Sequence, residues 1–369
     1  MAVAAASRQA IAWLRLSLVS GIGPLLGRKL VDAAGSVEGV FSAGDETWSN
    51  VAGIGPSLRT ALKGSHPEHA VAVLKQCEVA GIRLISPDDD LWPEALKGID
   101  DAPLLLFAKG DAVALNSEKM LAVVGARRAS REGALISRRW SRYLSDQGVT
   151  IVSGMACGID AASHGGALEG GSPTIAVLGC GLASLSGEQQ AQAEAICRQG
   201  CVISEFLPDQ GARPEQFPRR NRIIAALAPA TLVVEADVRS GSLITARLAA
   251  GYGREVFAVP GSLQTGNHAG CHQLIRDGAV LATDPSCIMS ELGWDAGKSV
   301  RNQKQRSYQP VNEYEAKIVA VLGHERLHLD ELTETCGLTL PELSPILLAL
   351  ELQGVIERLP GSRYQLSAE

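Results

Sequence analysis

The sequence predicts a doubly wound α/β protein with a mostly parallel, Rossmann-like sheet, flanked by a helical N-terminal domain and a C-terminal winged helix. Three observations lead there. Between about residues 118 and 285, short Val/Ile/Leu-rich runs alternate with helical segments. These runs lack polar–apolar alternation, as strands buried on both faces do. Nearly every run then opens into glycine or a small polar residue, which lets the backbone come close to a ligand at the carboxyl end of a strand.

Residues 1–85 read as helical, beginning with an amphipathic run through Ile11, Leu14 and Leu18. Two similar turns, Ser20-Gly21-Ile22-Gly23-Pro24 and Ala52-Gly53-Ile54-Gly55-Pro56, each precede a helix-compatible run. They fit either helix-hairpin-helix turns offering N–H groups to a phosphate or tight interhelical turns. Residues 86–295 carry the α/β pattern, with strands expected at Met120–Val124, Thr150–Val152, Thr174–Leu178, Cys201–Ser204, Thr231–Glu235 and Glu255–Val259. A polar linker is expected over 296–310. Residues 311–369 then read as three helices and a hairpin, the pattern of a winged helix.

A hydrophobic content of 46% with 20% charged residues is that of a globular protein, and no apolar run reaches the ~18 residues of a membrane span. Arg8 and Arg15 interrupt the first apolar stretch, so no secretory signal is read there and the cytoplasm is the expected compartment. The eight cysteines contain no CxxC pair and are expected to be reduced and mostly buried. His268, Cys271 and His272 lie close in sequence, but no second ligand pair stands at zinc-site spacing, so no metal is expected.

The net charge is −6, which makes the cluster Phe217-Pro218-Arg219-Arg220-Asn221-Arg222 stand out. Arg219 and Arg222 are three apart and share a helix face, at a helix start that itself favours anions. Phosphate is the ligand such a cluster suits. Arg127, in a tight turn after Gly125, is placed to fork onto a phosphate in the strand-end crevice. Neither GxGxxG nor GxxxxGK[ST] occurs, which argues against dinucleotide and P-loop sites. Ser153, Asp160 and His164 suggest a triad, yet Ser153 is not in a G-x-S-x-G elbow and Asp160 and His164 have the spacing of a local helical pair. Glu205 and Glu235 each end a strand and are expected to bind the arginines and fix the crevice. Aromatic residues are 4% of the chain, too few for a broad base-stacking platform; Phe217 is the ring placed to meet a base or sugar. The last 59 residues hold ten acidic and four basic side chains, and the expected recognition helix, Thr339 to Gln353, has no Lys or Arg. That makes the winged helix a poor DNA reader, better suited to core packing or a protein partner.

Several motifs occur in order: Leu91-Trp92-Pro93, Val123-Val124-Gly125-Ala126-Arg127, Val152-Ser153-Gly154-Met155-Ala156-Cys157-Gly158-Ile159-Asp160, the Phe217–Ile224 cluster, Ser240-Gly241-Ser242-Leu243-Ile244-Thr245, and Gly270-Cys271-His272-Gln273-Leu274-Ile275. Together they resemble the DprA (Smf) family of DNA processing proteins over about residues 85–285. The flanking modules resemble its SAM/helix-hairpin-helix-like and winged-helix domains more loosely. The resemblance implies a cytoplasmic homodimer; with no coherent catalytic set in the sequence, neither catalysis nor a cofactor of its own is expected. It would bind incoming single-stranded DNA during natural transformation, protect it, and help load RecA while displacing single-strand-binding protein. Carried over by position, nucleic-acid binding falls on Gly125, Arg127, Gly181, Phe217, Arg219, Asn221 and Arg222. Ser153, Gly154, Glu205, Glu235, Ser240, Gly241 and Thr245 would shape the pocket. After Gly179-Cys180-Gly181-Leu182 the family has Asp, then Tyr-Pro with a nearby Asn; here Ala183-Ser184-Leu185-Ser186-Gly187 stands instead.

Two other functions compete. A nucleotide-processing enzyme resembling phosphoribohydrolases would use Glu235 with Arg127 on a ribose-phosphate, but its Pro-Gly-Gly-x-Gly-Thr motif is absent, since Pro260-Gly261 continues as Ser262-Leu263. A transcription factor acting through the winged helix would require the cations that its recognition helix lacks.

Overall fold

The computed structural model describes residues 8–294, 313–322, 327–352, 355–359 and 363–366. Nine strands form one sheet: β1 (Arg83–Ile85), β2 (Leu106–Gly110), β3 (Met120–Val124), β4 (Thr150–Ser153), β5 (Thr174–Val177), β6 (Cys201–Ser204), β7 (Ala230–Val233), β8 (Glu255–Ala258) and β9 (Val280–Leu281). Their order is β1-β2-β6-β5-β4-β3-β7-β8-β9. All pairs from β6 through to β9 are parallel, whereas β2 runs antiparallel to both β6 and β1. The six expected strands are present within one or two residues of their expected ends. Of the three additional ones, β1 and β9 are only three and two residues long, and β2, although residues 104–108 are apolar, lies before the region in which strands alternate with helices.

Both faces of the sheet are covered, which is why its strands need no polar positions. Ala122 and Val124 join Ile223, Ile224, Leu227 and Ala246 in one core, while Leu121 and Val123 join Leu144, Ile151 and Ile159 in the other. On the second face the helices Arg131–Asp146 and Ile159–Glu169 approach closely through small residues. A Cβ on Gly166 would lie 2.0 Å from the carbonyl oxygen of Arg138.

Six helices lie between Arg8 and Ala80: Arg8–Ser17, Pro24–Ala34, Val37–Ser42, Asp45–Ser49, Pro56–Lys63 and Pro67–Ala80. The two Gly-Ile-Gly turns pack reciprocally. Gly21 (φ 84°) meets Leu58 and Gly53 (φ 97°) meets Leu26; added Cβ atoms would come within 2.7 and 2.9 Å of those leucine methyls. The left-handed backbone and the close approach both require glycine, so these two residues serve interhelical packing. The helices share apolar cores with the sheet region: Leu14, Ala70 and Leu74 pack with Phe107 and Val202, and Leu104 joins Leu16, Leu30 and Trp48. Arg28 Nη1 donates to the carbonyl of Ile99 (3.0 Å), and Trp13 Nε1 to Asp88 Oδ2 (2.7 Å). The chain accordingly divides into two compact units, Met1–Trp294 and Asp295–Glu369.

In the second unit, helices Glu313–Leu322, Leu329–Cys336 and Leu340–Leu352 accompany strands Leu327–His328, Ile356–Leu359 and Arg363–Leu366, which form an antiparallel sheet with the last strand in the middle. Leu343, Leu347 and Leu350 of the third helix are buried with Ile318, Leu332 and Ile356, so its leucines serve core packing. Glu342 accepts from both the backbone N–H and the hydroxyl of Thr339 (2.9 and 2.6 Å), half of a capping box with the hydroxyl acting as donor. The expected linker over 296–310 and the turn at Pro360-Gly361 lie outside the described residues. Among the described residues, no helix is long and apolar enough to cross a membrane.

Gly21→Ala and Gly53→Ala should each lower stability to urea by about 1–3 kcal/mol. Gly55→Ala, at φ −79° with open space around it, should cost less, about 0.5–1 kcal/mol, through the poorer N-cap that alanine makes for the helix Pro56–Lys63. Equal midpoints for all three variants would show that the reciprocal packing contributes nothing.

Candidate nucleic-acid interface

β3 leads through its helix to β4 on one side, and β7 leads through the helix Ser242–Gly251 to β8 on the other. Between two neighbouring strands whose connections diverge, the loops part and leave a crevice. Here it measures about 610 Å³ and is lined by Gly125 to Arg128, Phe217, Asn221, Asp237, Ser240 to Ser242, Ile244 and Thr245, among others. Two helix N-termini, at Arg131 and Ser242, lie beside these loops.

Arg127 and Arg128 are exposed. The Arg127 guanidinium lies 4.8 Å from the centroid of the Phe217 ring, a cation–π contact that holds it at the mouth. Phe217 in turn rests on Gly179, where a Cβ would lie 2.8 Å from the ring. Asn221 is half-buried, with its Nδ2 3.5 Å from the carbonyl of Gly241, and the hydroxyls of Ser240 and Ser242 are 2.7 Å apart. Cation, aromatic face, amide and hydroxyls therefore share one wall.

Behind that wall is a buried guanidinium. Arg220 follows the i, i+3, i+4, i+7 stripe of Ile223, Ile224 and Leu227 into the core and is 3% exposed. Its Nη1 donates to the carbonyls of Gly154 (2.5 Å) and Val177, and its Nε to Asn221 Oδ1 (3.2 Å). Gly154 is glycine because a Cβ there would lie 2.4 Å from Arg220 Nη1. The next residue, Met155, has φ 54°, the one non-glycine in the left-handed region among the described residues. Burial pushes the Asp160 carboxyl up to about 6, opposed by the nearby Arg220 charge and the backbone N–H groups it accepts from. Burial lowers Arg220 to about 10, with Asp160 working the other way. Arg220 has no role among the residues expected from sequence, although its place on the apolar stripe is visible there.

Arg219 and Arg222 do share a face, and it turns toward Glu205, which takes Arg222 at 2.5 Å and Arg219 at 3.3 Å on the same oxygen. Arg222 is buried and also lies 3.7 Å from Asp101. It belongs to an internal ion cluster and is not among the crevice-lining residues. Arg219 is half-exposed, lies over Phe206 (5.5 Å), and lines a separate cavity of about 600 Å³ with the turn Ser20 to Pro24.

The expectation that both glutamates bind arginines holds for Glu205 and needs correction for Glu235. Glu235 is buried and accepts from the backbone N–H of Ser130 (3.0 Å) and from its hydroxyl. Ser130 Oγ then accepts from Gly133 N–H (2.9 Å), capping the helix Arg131–Asp146. The strand-end glycines also answer to the protein's own packing. A Cβ on Gly125 would meet Ile159 at 2.6 Å, and one on Gly181 would meet the carbonyl of Leu207 at 2.0 Å. Gly181 N–H is itself donated to Gln210 O (2.7 Å), and Ala183 N–H to Pro208 O (2.7 Å), so backbone bonds hold the wall where the family's Asp and Tyr-Pro are replaced.

Ser153 donates to Val123 O (2.6 Å) and His164 Nδ1 pairs with Thr174 Oγ1 (2.8 Å), so serine and histidine are engaged apart and the local Asp160–His164 pair does not form. Burial holds His164 down at about 3 and therefore neutral. Thr245 is buried beneath the crevice. Cys271 points into the core toward Val233 O (3.7 Å) while His272 Nε2 meets the Gly261 backbone, so these two side chains diverge.

Fold and crevice define a two-unit protein: a doubly wound domain with cationic, aromatic and hydroxyl groups at its switch point, and a winged helix. Residues 83–293 match the family described as DNA recombination-mediator protein A, and residues 302–362 match the DprA winged helix domain. The chain is 39% identical to protein Smf of Escherichia coli K12 over 289 residues, 77% of each chain. It is 43% identical to DNA processing protein DprA of Streptococcus pneumoniae R6 over 205 residues, 55% of this chain and 72% of that one. The X-ray structure of the S. pneumoniae protein superposes with a TM-score of 0.66 at 34% identity, covering 76% of this chain and 95% of that one. A structure of DNA processing protein A from Helicobacter pylori, concerned with its single-stranded DNA binding mode, gives 0.53 at 27% identity over 58% of this chain and 96% of that one. The chain belongs to the DprA/Smf family.

Because the folded-state pKa of Asp160 lies above its unfolded value, its stabilising contribution is complete below about pH 4 and is lost as pH rises through about 6. Wild type should thus lose stability relative to Asp160→Asn between those values, by up to about 3 kcal/mol. Urea midpoints across that range measure it, and a parallel course for the two proteins would refute the assignment.

Proposed function

We propose that the protein binds single-stranded DNA in the switch-point crevice, as a mediator of recombination without catalysis of its own. The observation that carries this reading is the Arg127–Phe217 pair. An exposed guanidinium and a ring seated on Gly179 offer a phosphate partner and an apolar face within one nucleotide's reach. Binding through cations and stacking, without base-edge readout, suits a sequence-tolerant single-strand binder. Family membership and the single-stranded DNA binding of the H. pylori relative support the same ligand.

In the fuller reading, Gly125 and Gly181 set the backbone walls, Asn221 and Arg219 extend the contacts, and Arg222 fixes Glu205. The protein acts as a cytoplasmic homodimer that protects incoming DNA during natural transformation and helps RecA replace single-strand-binding protein on it. The winged helix, with its cation-free third helix, is assigned to a protein partner. The nucleotide-hydrolase alternative gains nothing, because Glu235 is committed to Ser130.

Fluorescence anisotropy of a labelled single-stranded oligonucleotide across a salt series tests this. Arg127→Ala should weaken binding about ten- to hundredfold, the equivalent of one charge-assisted hydrogen bond. It should also flatten the log–log salt slope by about 0.7. Duplex competitor should displace the strand poorly. Equal affinity for wild type and variant would place the DNA elsewhere.

A further inference from the structure

The helix Arg131–Asp146 starts at the crevice mouth and carries more arginine than its packing uses. Arg138 is paired with Glu169, and Arg142 lies 4.0 Å from Asp146, so that stripe is an ion-paired, solvated face. A second stripe differs. Arg131, Leu135, Arg139 and Tyr143 follow one another at four-residue spacing and are neighbours on the helix surface. Arg131 and Arg139 are exposed and make no ion pair or hydrogen bond with any described residue. Between and beyond them, Leu135 is 53% and Tyr143 40% exposed. Leu135, Arg139 and Tyr143 line a groove of about 410 Å³ with Glu132, Trp140 and Pro285.

We infer that this groove continues the single-strand track, with Arg131 and Arg139 receiving phosphates and a nucleobase stacking on Tyr143 beside Trp140. The inference rests on the crevice reading above. Three features select nucleic acid as the occupant. The unpaired charges are positive, with Glu132 at the near end as the one acid in the groove lining. Cation and aromatic side chains are interleaved, the combination that follows a sugar–phosphate chain while stacking its bases. The stripe also begins three residues after Arg128, one of the crevice-lining arginines, and from Arg131 to Tyr143 it runs about 18 Å along the helix. A strand longer than the crevice therefore has further exposed cations to meet along this helix.

The test compares single-stranded oligonucleotides of roughly 4 and roughly 16 nucleotides, the span of known single-strand site sizes. It uses the full chain and the variants Tyr143→Ala, Tyr143→Phe, Arg139→Gln and Arg127→Ala. All three positions are exposed, so folding is not at stake. Tyr143→Ala should weaken the long strand about tenfold and leave the short one unchanged, Tyr143→Phe should retain wild-type binding, and Arg139→Gln should reduce the salt slope for the long strand alone. Unchanged long-strand affinity in Tyr143→Ala and Arg139→Gln would overturn the inference. So would equal weakening at both lengths, or lost self-association with intact DNA binding, which would make the groove an interface between copies. If Arg127→Ala binds the short strand as wild type does, the crevice reading itself fails, and that outcome is read separately from the Tyr143 and Arg139 results.

Discussion

One buried guanidinium organises the carboxyl edge of the sheet. Arg220 reaches from the helix Gln216–Leu227 to the carbonyls after β4 and at the end of β5, with the Asp160 charge nearby. Buried charge is costly unless hydrogen-bonded and compensated, so the surrounding backbone is committed to this arrangement. Gly154 must lack a side chain, Met155 accepts left-handed backbone, and Asn221 is oriented through its Oδ1. The groups that face the crevice inherit their positions from it: Phe217 and Asn221 flank Arg220 on the same helix, and Arg127 rests on Phe217.

The doubly wound core was legible because burial on both faces leaves a pattern that needs no partner to interpret. Val123 and Val124 point to opposite cores, and both must be apolar. β1 and β9 were not legible, since strands of two or three residues at a sheet edge owe their existence to neighbours far away in sequence, and β2 pairs antiparallel between β1 and β6, outside the alternating α/β pattern. The site was legible in part. Arg127, Phe217 and Asn221 come together in the crevice, as their positions after β3 and at a helix start implied. The roles of the remaining arginines depended on helix phase. Arg219 and Arg222 face Glu205, and Arg220 faces the sheet, a difference of 100° per residue that composition does not reveal.

The strand-end glycines show how one signal can carry a different cause. Gly125, Gly154 and Gly181 were expected to make room for a ligand, yet each admits the protein's own atoms: Ile159, Arg220 and the Leu207 carbonyl. Close packing of loop on loop imposes the same demand for a missing Cβ as close approach to a phosphate. Glu235 repeats the lesson. A carboxylate at a strand end resembles an acid/base group in sequence, but here it caps a helix whose N-terminus would otherwise hold unsatisfied N–H groups.

The sheet ends in three residues at β1 and two at β9. Each border thus exposes very little unpaired backbone, and β2, which lies beside β1, is antiparallel and closes in Lys109-Gly110. Such stubs give an incoming strand almost no ladder to extend, which disfavours edge-to-edge aggregation. A protein whose proposed work concentrates it along a shared polymer would be crowded against its own copies. Blunt sheet borders would keep those encounters from growing into irreversible β-assemblies.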